Sequence, residues 1–287
     1  MAIVQRLGFI TIGAKDLDEA AGLYSKVGRM VETGRDGSTA FLTGGTDHHW
    51  MRIEQSDIEE VKRVGYDVGN AKNMADAIQL LKDWKLAYEE VALPNGEYVQ
   101  HRVRFTDPGG MSVDLFYGMD QLAKAPDNDG INIKKFLHAG WRSPNFDETF
   151  KFWTEGLGFK VSDQIEQNAF FMRCDDRYHH SLLLIRTNAL TPEFGHICTL
   201  VDGIDDVMRI RNNGLKAGAK LRSDVMKHVP SGSVAVYFTD EKRKFDFEYC
   251  FEHAQLPDDH QHRVLPMKEA VGDVWQAEVR DPELTSA

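Results

Sequence analysis

The chain repeats itself, and no other feature bounds its fold as tightly. The segment from Phe9, FITIGAKDLDEAAGLYSKVGR, is matched by HAGWRSPNFDETFKFWTEGLGF from His138. Each opens on an apolar, strand-like run, crosses a short loop and enters an amphipathic helix headed by an Asp-Glu pair. Each helix carries an aromatic, Tyr24 or Trp153, and stops at a glycine, Gly28 or Gly158. AFLTGGTDHHWMRIEQ from Ala40 parallels AFFMRCDDRYHHSLLLIR from Ala169, paired histidines included, and VRFTDPGGMSVDLFYG from Val103 parallels VYFTDEKRKFDFEYCF from Val236. The spacing stays near one value, so a unit of about 130 residues is used twice.

Runs such as HSLLLI, GHICTLV and SVAVYF are rich in β-formers and bounded by turn residues, and they read as strands. MADAIQLLKDW from Met74 and IDDVMRIRNNG from Ile204 read as the second helix of each half, the latter stopping at Gly214. The expected fold class is α+β: each half is a pair of βαβββ modules forming a curved, mostly antiparallel sheet with helices outside. The expected boundaries are 1–118 for the first domain, 119–131 for a linker, and 132–287 for the second domain, polar after about residue 254.

Composition removes several functions. The 287 residues carry 34 Lys+Arg against 45 Asp+Glu, a net charge of −11, which disfavours nucleic acid as a partner. No window approaches the ~18 consecutive apolar residues of a membrane span. The start, MAIVQRLGFITIG, signals no secretory leader, and Cys174, Cys198 and Cys250 lack metal-type spacing, which fits a reducing cytoplasm. Most of the eleven histidines fall after residue 130, so imidazole chemistry is expected in the second half.

With FTDPGG and VDLFYG in the first half, and LHAGWR, DRYHHSLLL, FGHICTL and FDFEYC in the second, the whole chain resembles the type I extradiol ring-cleavage dioxygenases. These enzymes, of the dihydroxybiphenyl and catechol 2,3-dioxygenase kind, belong to the vicinal oxygen chelate superfamily. The resemblance implies two tandem vicinal-oxygen-chelate domains, a catecholic substrate, O₂ and homo-oligomeric assembly. It also implies a mononuclear Fe(II), with Mn(II) an acceptable replacement, held by two histidines and a carboxylate on one face.

The metal ligands it implies are His138, opening a strand, His196, and Glu248, ending the last strand, with Asp246 a competitor two residues earlier. Asp107 to Asp114 spans seven residues and Asp240 to Glu248 eight, so the EKRK turn holds one extra residue. The first half has Phe9 in the place of His138 and RVGYDV opposite His196, and so reads as scaffold without a metal site. By resemblance His180 handles protons and stabilises reduced oxygen, His228 hydrogen-bonds substrate, and Tyr237 orients and helps deprotonate a substrate hydroxyl. His179 is expected on the opposite strand face from His180. Gly140, Phe171, Pro230 and Ser231 are expected to line the substrate pocket, and Cys198 and Cys250 read as core thiols beside the ligands. Two other readings share the scaffold: a glyoxalase-like metal-dependent isomerase or lyase, and a metal-free small-molecule binding protein.

Overall fold

The computed structural model describes residues 2–93 and 98–276. In the first half the order is β1 (Arg6–Ala14), α1 (Leu17–Gly28), β2 (Val31–Asp36), β3 (Thr39–Thr43), β4 (Met51–Gln55), β5 (Glu60–Asp67), α2 (Ala71–Asp83), β6 (Tyr88–Glu90), β7 (His101–Thr106) and β8 (Ser112–Tyr117). The second half repeats it as β9 (Ile133–Ser143), α3 (Phe146–Lys151), β10 (Lys160–Ile165), β11 (Ala169–Arg173), β12 (Leu182–Arg186), β13 (Glu193–Val201), α4 (Ile204–Lys216), β14 (Lys220–Lys227), β15 (Val234–Asp240) and β16 (Phe245–Phe251). A further strand follows, β17 (Arg263–Leu265), and then a helical turn, Glu269–Gly272.

Two sheets result, ordered β2-β3-β4-β1-β5-β8-β7-β6 and β14-β15-β16-β13-β9-β12-β11-β10-β17. Read in reverse, the second repeats the first strand for strand and adds β17 at its edge. Most pairings are antiparallel, but the first strand of every module lies parallel to its last: β1 to β4, β5 to β8, β9 to β12, β13 to β16. The two modules of a half join through antiparallel first strands, β1 with β5 and β9 with β13. The fold is thus the expected α+β arrangement of tandem βαβββ pairs.

Local chemistry explains the helix positions. The Asp16 side chain accepts from the Glu19 amide, Asp18 and Glu19 sit in the first turn of α1, and Lys26 in its last. The buried face of α1, with Ala20, Ala21, Tyr24 and Val27, packs into a hydrophobic core that runs continuously through both halves. The aromatic residues of the repeat reach across to the other copy. Tyr24 donates through its hydroxyl to buried Asp240 (2.7 Å), and Trp153 donates through Nε1 to buried Asp107 (3.0 Å). Each helix aromatic therefore clasps the turn aspartate of the opposite half.

Three expectations need correction. The glycine at 214 does not stop α4, which runs on to Lys216; the left-handed residue that ends it is Gly218 (φ 70°). A Cβ at residue 214 would lie 2.1 Å from Cε1 of the fully buried Phe238, so packing, not capping, demands glycine there. The helix carrying Trp153 is α-helical only to Lys151 and finishes as a π-helical turn, Phe152–Gly156, before Gly158 (φ 82°). The stretch after residue 254 is not merely a polar tail: β17 pairs parallel with β10 through Asp163–Arg263, Gln164–Val264 and Ile165–Leu265. Among its residues Trp275 is exposed, and 277–287 lie outside the described residues.

Gly214→Ala tests the packing reading. A solvent-facing helix glycine changed to alanine gains up to ~1 kcal/mol. Here overpacking against Phe238 should instead cost about 1–3 kcal/mol, read as a lower urea midpoint with unchanged m.

Candidate metal centre and active site

The central strands of the second sheet are β16, β13 and β9, and their register brings three donors together. Cys198 pairs with His138 on one side and with Glu248 on the other, while His196 pairs with Gly140. His138 lies in the middle of β9 and Glu248 in the middle of β16, rather than at strand ends as expected. His138 Nε2 is 3.0 Å from His196 Nε2 and 3.2 Å from Glu248 Oε2, and His196 Nε2 is 3.7 Å from the same oxygen. Gly140 makes this possible, since a Cβ there would sit 2.7 Å from His196 Cε1.

The cluster has the form of a cation site. Two ligands bonded at about 2.1 Å and at right angles are roughly 3.0 Å apart. His138 and Glu248 are each only 2% exposed, and among the described residues Glu248 Oε2 has no hydrogen-bond partner. Such a buried, unsatisfied carboxylate oxygen is costly unless something satisfies it. Burial opposes charge on Glu248, but His138, His228 and His196 outweigh it and hold the carboxyl well below its usual range. Burial, with His138 beside it, lowers the His196 imidazole to about 3, which leaves its nitrogen lone pair available. Asp246, the competing carboxylate, accepts from Thr239 Oγ1 (2.7 Å) and pairs with Arg222 (3.2 Å).

Two other donor groupings share these atoms: His138, His180 and His253, and Cys198, Glu248 and Cys250. The sulfurs of Cys198 and Cys250 are 3.3 Å apart, and burial pushes both thiols up, so neither offers the thiolate that binds metal. His253 received no role from the sequence. It is buried, its ring centroid lies 4.7 Å from that of His180, and its Nε2 accepts from the His180 amide (3.4 Å). Its place outside the repeated motifs left no signal for it.

His180, His228 and Tyr237 border the same cluster. The paired histidines sit in the loop between β11 and β12, not on a strand. His179 and His180 consequently do not face opposite ways; their Nδ1 atoms are 3.0 Å apart. The His180 ring lies 3.9 Å from that of His138, and burial, reinforced by His138 and His253, keeps it neutral far below its usual pKa. His228 follows β14, with Nδ1 2.6 Å from the Gly272 carbonyl and Nε2 2.9 Å from the Tyr237 hydroxyl. A carbonyl only accepts, so the His228 ring donates from Nδ1, and its Nε2 is left in hydrogen-bond reach of the Tyr237 hydroxyl. Burial, then Glu248 opposite it in the β15–β16 register, pushes the Tyr237 phenol well up.

These groups open into one cavity of about 590 Å³. Gly140, Phe171, Pro230 and Ser231 all line it, with Leu183, Ile185 and Phe194 completing an apolar wall. Arg222, Glu241, Lys244 and Asp246 also border it. An apolar cleft with a few convergent polar groups is the usual form of a small-molecule site.

The first half presents the same frame with different contents. Its strand registers put Phe9, Arg63, Asp114 and Arg104 where the second half has His138, His196, Glu248 and Tyr237. Buried Asp114 is bonded by Arg104 (2.8 Å), with Arg63 3.6 Å and Arg102 3.7 Å away. His48 and His49 occupy a loop, their Nδ1 atoms 3.1 Å apart. Among the described residues, no potential metal-binding group falls in this half.

The architecture is that of tandem vicinal-oxygen-chelate domains. Residues 135–246 match the model of the Glyoxalase/Bleomycin resistance protein/Dioxygenase superfamily. The chain is 25% identical over 223 residues to a biphenyl-2,3-diol 1,2-dioxygenase of Paraburkholderia xenovorans, covering 71% of this chain and 74% of that one. It is 20% identical over 224 residues to a 3-methylcatechol 2,3-dioxygenase of Pseudomonas putida, covering 71% and 75%. Among solved structures, the homoprotocatechuate 2,3-dioxygenase of Arthrobacter globiformis superposes with a TM-score of 0.85 at 19% identity, over 99% of this chain and 91% of that one. The Mn(II)-bound glyoxalase of Novosphingobium aromaticivorans does so with a TM-score of 0.85 at 22% identity, over 100% and 95%. The fold is therefore shared by extradiol dioxygenases and a glyoxalase, and the site must separate them.

Holding His180, His196 and His253 neutral has a measurable consequence. All three have folded-state pKa values below the ordinary 6.5, whereas the unfolded chain takes up their protons as pH falls through that value. Their contribution is full above pH 6.5 and lost below it, each by roughly 1.4 kcal/mol by pH 5.5 in the metal-free protein. Asp107, raised to about 6 by burial against its hydrogen bonds, works the other way by less than one such step. Urea midpoints should fall clearly from pH 7.5 to 5.5, and an unchanged midpoint would refute the neutral-histidine reading.

Proposed function

We propose that the chain is an extradiol dioxygenase that opens a catecholic ring beside its diol with O₂, using a divalent metal held by His138, His196 and Glu248. The observation that carries this reading is the convergence of those three donors, within 4.8 Å of one another, in a cavity that His180, His228 and Tyr237 also line. The names of the sequence relatives, which act on biphenyl-2,3-diol and 3-methylcatechol, support it. Bound Fe(II) supplies a Lewis-acidic, redox-active centre with positions open to a diol and O₂. Mn(II) suits the same donors, and one relative is named as manganese-dependent.

The residues divide the remaining work. Glu248 offsets the metal's charge, and the two imidazoles bind through neutral nitrogens. Tyr237, backed by His228, orients a substrate hydroxyl and helps remove its proton. His180 takes up a proton at the cavity and returns it, as a neutral imidazole can. Phe171, Leu183 and Ile185 hold the aromatic ring and exclude water. The first half acts as scaffold, the boundaries falling near residues 118 and 131, and the functional form is a homo-oligomer in the cytoplasm. No helix among the described residues is long and apolar enough to cross a membrane.

The glyoxalase-like isomerase remains the second reading because one neighbour of the same fold is a Mn(II) glyoxalase. Its chemistry consumes no O₂. Anaerobic loading with Fe(II) or Mn(II), then catechol, 3-methylcatechol and 2,3-dihydroxybiphenyl in air, separates the two. A yellow ring-opened product with one O₂ consumed per diol is expected; no turnover of any diol at full metal loading would overturn the proposal. His196→Ala should lose the metal. His180→Ala should keep it and turn over about 10²–10⁴-fold more slowly, the range of general acid–base catalysis.

A further inference from the structure

We infer that Asp163, anchored by Arg263 of β17, sets the proton position on His180 through His179, so that His180 presents a bare Nε2 to the cavity. The inference rests on the reading of His180 as the proton-handling group, and it assigns Asp163, His179 and Arg263 as positioning residues.

The chain of contacts is continuous. Arg263 donates to Asp163 from its amide (2.9 Å), from Nε (3.1 Å) and from Nη2 (2.6 Å). Asp163 Oδ2 lies 2.8 Å from His179 Nε2, and His179 Nδ1 lies 3.0 Å from His180 Nδ1. Burial would raise the Asp163 carboxyl, but His179 and Arg263 hold it at about 2, so it is ionised and only accepts. His179 Nε2 must therefore carry a proton. Burial keeps the His179 ring neutral, which leaves its Nδ1 a lone pair. The contact between the Nδ1 atoms then needs the proton on His180, and its Nε2 is left unprotonated. A base is thus in place before substrate arrives.

The duplication supplies an internal comparison. His48 and His49 meet in the same way, and Phe41 flanks that pair with centroid distances of 5.5 and 5.0 Å, against 5.6 and 5.0 Å for Phe171 and the second pair. The strand register that puts Asp163 opposite Phe171 puts Gly34 opposite Phe41. His48 is stacked on Tyr98 instead, with centroids 3.5 Å apart. Among the described residues, strand β17, which brings Arg263, has no counterpart in the first sheet. Both copies keep the histidine pair, and the carboxylate and its arginine are found where the three-donor cluster is.

The test reads the proton directly. Long-range ¹H–¹⁵N NMR of the full-length chain with ¹⁵N-histidine, metal-free and again with diamagnetic Zn(II), distinguishes the two ring tautomers, and His180→Ala assigns the signals. His180 should be protonated at Nδ1 in both forms. Protonation at Nε2 in either form would overturn the inference, whatever the variants do. In Asp163→Asn, whose amide can donate to His179, the His180 tautomer should become mixed or reversed; an unchanged tautomer would count equally against it. In the metal-loaded enzyme Asp163→Asn should lower kcat about 10–100-fold, with KM and metal content held within about twofold. On a His180→Ala background the same change should cost nothing further, whereas an equal loss in both backgrounds marks a merely structural role. Absence of turnover in the wild type would refute the dioxygenase reading and leave the NMR result to decide the tautomer.

Discussion

Everything at the candidate site depends on the register of three adjacent strands. Because Cys198 is paired with His138 on one side and Glu248 on the other, the donors of β9, β13 and β16 are held within a few ångströms by backbone hydrogen bonds. Side chains alternate along a strand, so a slip of one residue would turn an entire donor set to the other face. Irregularities in the β9–β13 register, between Phe194 and His196 and between Cys198 and Thr199, lie beside the site. Strand bulges of this kind re-aim individual side chains.

The two halves support that register by holding each other. Tyr24 reaches Asp240 and Trp153 reaches Asp107, so the turn before β16 and the turn before β8 are each tied to the opposite copy. Divergence has occurred inside this shared frame. Where the second half gathers two imidazoles and a carboxylate, the first surrounds Asp114 with arginines. A guanidinium brings its own fixed positive charge to a buried carboxylate, so the same strand frame needs no cation there. The strand that breaks the symmetry, β17, lies outside the repeat and meets the site from the sheet edge.

Much of this was legible in the linear chain. The duplication and the α+β class follow from local pattern, and the candidacy of His138, His196 and Glu248 from the resemblance to the ring-cleavage dioxygenases. The extra residue in the EKRK turn, which moves the count from Phe247 to Glu248, could also be counted directly. What failed were inferences that treated a residue by its local neighbours alone. Gly214 looked like a helix stop, yet Phe238 is what requires glycine there. The histidine pair looked like a strand with alternating faces, yet it forms a loop in which both rings meet. His253, Asp163 and Arg263 carried no signal because their partners are 73, 16 and 100 residues away in sequence.

By itself, then, the sequence determined the repeated unit, its strand and helix order, and which half is rich in histidine, since periodicity and turn chemistry act over a few residues. Only the tertiary structure decided which donors converge, which nitrogen of each histidine is engaged, and that residues after 254 close the sheet edge beside the site. Those outcomes depend on register and on contacts between distant strands, which buried polar groups make specific because each must find a partner.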